Sequence, residues 1–204
     1  MSAALPRHLL VILKHIYDWS AFNGEHPFCD SNKISIKSQK NGILDASEWF
    51  YNDARAVGDS GQLIIAAIDR LATFFKDMRF SDKPSECSLV TFSVDPNTLT
   101  KEAKKIIELA EKWSLLIKIP GGQHDRNSMR VDDKFQLNPM LAPRWDLPVA
   151  RRGTVSLKAS EANAIFDSEY AGNFEEVNKG RVDRMTAPFF GKAPVTKGNQ
   201  GELL

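Results

Sequence analysis

Eight cations gathered in one stretch are the residues of this sequence best suited to chemistry. Lys101, Lys104, Lys105, Lys118, Arg126, Arg130, Arg151 and Arg152 lie between positions 101 and 153, where 11 Lys/Arg stand against 7 Asp/Glu. Elsewhere the balance reverses to 16 against 19, so the formal charge of the chain is only +1. A local cationic excess suits phosphate oxygens, whose charge dominates affinity for nucleic acid. The opposing reading is a solvated ionic face. Glu102, Glu108 and Glu111 interleave with the lysines, and Lys104–Glu108 and Glu108–Lys112 have i,i+4 spacing. Asp125 and Asp132 offer the same neutralisation to Arg126 and Arg130.

Other chemistries find less support. His124-Asp125 has no second ligand at metal spacing and no positioned acid/base partner. Asp45, Glu48 and Asp53 could meet Mg²⁺ from one helix, but helix capping and dipole complementarity account for Asp45 and Glu48. Cys29 and Cys87 show no C-x-x-C spacing and read as reduced thiols. There is no G-x-S-x-G motif for nucleophilic catalysis. No catalytic residue, metal or cofactor is therefore expected.

The elements that must position the cations are legible. KEAKKIIELAEKW puts Ala103, Ile106, Ile107, Ala110 and Trp113 on one helical stripe, with Thr98 or Thr100 as cap. LLIKI is a strand, PGGQHDRNS a turn, and MRVDDKFQL a return strand. A helix running into a charged two-stranded ribbon is the local shape of a winged helix. Upstream, Leu5–Trp19 is an amphipathic helix, a second helix starts near Asp45 and ends at Gly58, and a third follows through GQLIIAAIDRLATFFKDM. In this third helix Ile64, Ile68, Leu71 and Phe75 form one stripe, and apolar residues nearly surround it, as in a buried hub. SLVTFSV and TVSL read as strands, and SEANAIFDS as a short helix capped by Ser160. The fold expected is mainly α with a small antiparallel β-hairpin. Residues 1–80 would form a helical domain and 86–150 a winged helix. The remainder, 151–204, would be a connector, a short helix and, from about Gly172, a mobile tail.

Three stretches carry a family resemblance. Pro6-Arg7 opens the first helix, ASEWFYNDAR lies in the second, and IIELAEKWSLLIKI followed by DKFQLNPMLAP closes the ribbon with an Asn-Pro turn. Together they resemble the C-terminal half of bacterial ORC-like or STAND-type AAA+ P-loop ATPases, a helical lid followed by a winged helix. The resemblance implies a sensor arginine at Arg7, although no G-x-x-x-x-G-K-[ST] loop or Walker-B strand accompanies it. The nucleotide-binding core is thus expected to be missing from this chain.

The function expected is a non-enzymatic DNA-binding or regulatory module serving a P-loop ATPase, with the eight cations as its nucleic-acid contacts. The alternative is a protein–protein interaction module. Double-stranded DNA and a P-loop ATPase subunit are the expected partners. No membrane is expected, because the N-terminal apolar run is short and broken by Lys14 and His15. A cytoplasmic location follows from that and from the thiols.

Overall fold

The computed structural model describes residues 6–27, 29, 33–56, 58–80, 90–121, 123–124, 131–150 and 153–186. Helices α1 (Pro6–Phe22) and α2 (Ile36–Arg55) form an antiparallel hairpin. It closes so tightly at Gly42 that an added Cβ would lie 2.5 Å from the Ile16 Cα. The second helix therefore begins well before Asp45. Its cap is Ser35, whose hydroxyl accepts from the Ser38 N–H at 3.2 Å. Glu25 clamps the loop by accepting from the Ser35 N–H and from the hydroxyls of Ser35 and Ser38. Those bonds hold its carboxyl below the usual carboxylate range.

The hub is α3 (Asp59–Arg79). Ile64, Ile68, Leu71 and Phe75 are fully buried, as are Ala67, Ala72 and Phe74. Its two charged interruptions are both anchored. Asp69 accepts from the Tyr51 hydroxyl at 2.8 Å, and Arg70 donates to the Ile165 carbonyl at 2.8 Å. Burial raises the pKa of Asp69 and, helped by Asp69 itself, that of Tyr51. Among the described residues no helix is long and apolar enough to cross a membrane.

The hairpin β2 (Leu116–Lys118) with β4 (Val131–Leu137) sits inside a larger mixed sheet. The strands β1 (Thr91–Val94), β3 (Gln123–His124) and β5 (Val155–Ser156) complete it. The order is β2-β4-β1-β5, with β3 also on β4; every pair is antiparallel except β1–β5. Phe92 and Phe135, opposite each other in register, stack at 5.5 Å, and Phe166 and Phe75 close on Phe92 from two helices. One continuous apolar cluster runs from Ile12 to Phe166, so the helical N-terminal part and the sheet share a core.

Of the stretch from about Gly172 where the sequence suggested a mobile tail, residues 174–186 form a helix, and residues 187–204 lie outside the described residues. That helix, α6 (Phe174–Thr186), follows α5 (Ala159–Phe166) and packs on α3 and α5. Asn178 donates to Asp77 at 2.5 Å, and Arg181 pairs with the buried Glu161 at 3.3 Å. The cap of α5 is Lys158, its backbone N–H donating to Glu161, and not Ser160.

Candidate nucleic-acid interface

Helix α4 (Lys101–Lys112) is set by its cap. The Thr100 hydroxyl accepts from the Ala103 N–H at 3.1 Å and donates to Asp167 at 2.6 Å, a carboxylate only 3% exposed. Ala103, Ile106, Ile107 and Ala110 face the core. The helix stops where Ser114 turns left-handed at φ 58°, and the Asn138 side chain holds the Ser114 carbonyl at 2.6 Å. Thr100→Ala removes the cap and the hydroxyl that Asp167 accepts from. It should cost about 2 kcal/mol, read as a lower urea midpoint at unchanged slope. A change within 0.5 kcal/mol, ordinary for a surface site, would contradict this placement.

Four of the eight predicted cations are described. Lys101, Lys104 and Lys105 are exposed on the outer face of α4, and Lys118 lies on β2. Three of the four have carboxylates beside them. Lys105 pairs with Glu102 at 3.8 Å, and Lys118 pairs with Asp133 at 3.0 Å while lying over the Phe135 ring. A groove between α4 and the hairpin brings Lys104 and Lys118 together, but Glu108, Glu111 and Asp133 line it too. Three carboxylates against two lysines make that groove a poor seat for phosphate. Arg126, Arg130, Arg151 and Arg152 lie outside the described residues.

The α2 carboxylates also do not form a set. Asp45 accepts from the Trp19 indole at 2.6 Å, Glu48 pairs with Arg144, and Asp53 pairs with Arg7 at 3.0 Å. No group of three metal-ligating side chains is found among the described residues. Arg7 also lies over the Trp49 ring, at 5.4 Å, while its side chain remains 67% exposed.

One surface escaped the sequence reading. Leu9, Leu10, Leu13 and Tyr17 on α1 are all exposed, Leu10 at 67%. Apolar residues on opposite sides of one helix left its inward face ambiguous, and only Gly42, the contact point on α2, could have resolved it.

The ORC-CDC6-like family model matches residues 1–157, well over half of the chain. The chain belongs to the ORC-CDC6-like family. That membership relates it to AAA+ ATPase-related proteins. The ORC-CDC6-like match covers the α1–α2 hairpin, the hub and all five strands. Beyond it, α5 adds Phe166 to the core, and α6 is tied to α5 by Arg181 on Glu161. No curated protein and no solved structure matches the chain significantly.

Proposed function

We propose that this chain is a non-enzymatic regulatory module of an AAA+ ATPase-related machine, contacting duplex DNA through the tip of its hairpin. The observation that carries the reading is the hairpin's place in the sheet. The order β2-β4-β1, with β4 antiparallel to both of those strands, supports reading the ribbon as a wing. Arg126 and Arg130, outside the described residues, precede β4 in the sequence. Only one helix, α4, lies between β1 and β2, where a helix-turn-helix pair would place a recognition helix. The contact proposed is therefore backbone binding by the wing and by Arg151 and Arg152, without base readout by α4. In this reading the chain catalyses nothing, and an ATPase subunit supplies the nucleotide chemistry.

The test is duplex binding across a salt series. Arg126→Ala with Arg130→Ala should weaken binding about equally across sequences, each lost phosphate contact lowering the salt slope by about 0.9. Unchanged affinity in the double variant would remove the wing from the interface. The exposed face of α1 favours a second reading, a protein-docking module. Leu10, Leu13 and Tyr17, at i, i+3 and i+7, make an apolar stripe of the kind that partners cover. Absence of DNA binding at low salt would leave that reading standing.

A further inference from the structure

His8 lies in the first turn of α1, 4% exposed, with its ring 4.5 Å from that of Phe50. Its Nδ1 is 3.4 Å from the Asn138 side-chain nitrogen. The other bonds of Asn138 settle which atom donates. The Asn138 Oδ1 accepts from the Met140 N–H at 2.9 Å, and Nδ2 donates to the Ser114 carbonyl at 2.6 Å. Flipping the amide would oppose oxygen to oxygen at Ser114 and N–H to N–H at Met140. The NH₂ group therefore faces His8, and Nδ1 must accept, leaving the ring proton on Nε2. An imidazolium is protonated on both nitrogens, so charging the ring sets N–H against N–H and removes the bond.

We propose that His8 and Asn138 form an acid-sensitive latch that fastens the start of α1 to the turn after β4 and opens when the imidazole is protonated. The surroundings favour the neutral ring. Arg7 from α1, Asp53 from α2 and Lys112 at the end of α4 line the adjoining cleft of about 340 Å³. The one carboxylate among them is already paired with Arg7. Burial, and after it the Arg7 charge, hold the His8 pKa below its ordinary 6.5. A folded-state pKa lower than the unfolded one means that the opened form takes the proton more readily. The latch is thus fully closed above about pH 6.5 and weakens as pH falls toward the depressed value. Apart from this contact α1 packs chiefly on α2, to which the Arg7–Asp53 pair still ties its start, so opening loosens, without detaching, one end of a helix whose outer side is apolar.

Two measurements on the full chain test the latch. NMR of the imidazole rings should show His8 with Nδ1 unprotonated at pH 7.5 and titrating below the ordinary 6.5 of an imidazole. Hydrogen exchange should show amides 9–12 losing protection by roughly tenfold at pH 5 relative to α3, as expected where a buried histidine must charge. The His8→Gln variant should show no such pH-dependent loss. Equal loss in His8→Gln, or an Nδ1-protonated His8, would overturn the proposal. Should His8→Gln fail to fold, the tautomer and the titration of the His8 ring in the native chain still decide it.

Discussion

Phe75→Ala is expected to remove about 3–5 kcal/mol of stability, the range for emptying a large aromatic site in a packed core. Phe75 is fully buried, edge-on to Phe74 at 6.1 Å and 6.5 Å from Phe92, which itself stacks on Phe135. The cavity would thus open at the point where the hub helix meets the sheet. Backbone atoms of a helix and of a strand that its neighbours fix cannot collapse into it. A loss of that size is a large share of the ~5–15 kcal/mol available to a domain. The apolar cluster is continuous from α1 to α5, so the whole urea transition should move as one. Phe174→Ala offers the comparison. Phe174 is only partly buried, resting on the edge of the same core, and its loss should cost about 1–2 kcal/mol. Two separate transitions, with only one shifted by Phe75→Ala, would divide the chain into independent domains. A larger loss from Phe174 than from Phe75 would end the hub assignment.

What could be read in the sequence followed apolar periodicity. The α3 stripe and the buried side of α4 carry a strong local signal, and the structure places both where that signal predicts, except that Trp113 at the end of the α4 stripe is exposed. The alternation expected of β4 does not hold, since Val131 is exposed and Gln136 is buried between Phe135 and Leu137. The first half of α2 carries little such signal. IKSQKNGIL is mostly polar because its inward positions hold the small Ser38 and Gly42, which bury almost no apolar area while admitting α1 at close range. The helix α6 was illegible for a related reason. It is held by Asn178 on Asp77 and Arg181 on Glu161, and polar anchors leave no periodic trace. Neutralisation of the lysines was half legible. The Lys105–Glu102 pair is local in sequence, whereas Lys118–Asp133 depends on strand pairing that brings β2 beside β4. Net charge along a segment overstated the free positive charge of the folded surface. The His8–Asn138 contact joins residues 130 positions apart, beyond the reach of any spacing rule.

Gly42→Ala should destabilise the chain even though helix propensity favours it. In an exposed helix interior the change would gain about 1 kcal/mol. Here the new Cβ would lie 2.5 Å from both the Ile16 Cα and N, and 2.8 Å from the His15 carbonyl carbon. All three are backbone atoms, so no rotamer change relieves the contact, and α1 must move away from α2 along its length. Overpacking of this kind costs about 1–3 kcal/mol, occasionally more, and the displacement also stretches the Trp19–Asp45 and Arg7–Asp53 bonds at either end. We expect a net loss of about 2 kcal/mol, read from the urea midpoint. A double-mutant cycle separates this cause from ordinary side-chain crowding. Truncating Ile16→Ala leaves its Cα and N in place, so it should not rescue Gly42→Ala. Recovery in the double variant would place the contact on the Ile16 side chain. A stabilised single variant would mean that the helices are not held at this separation in solution.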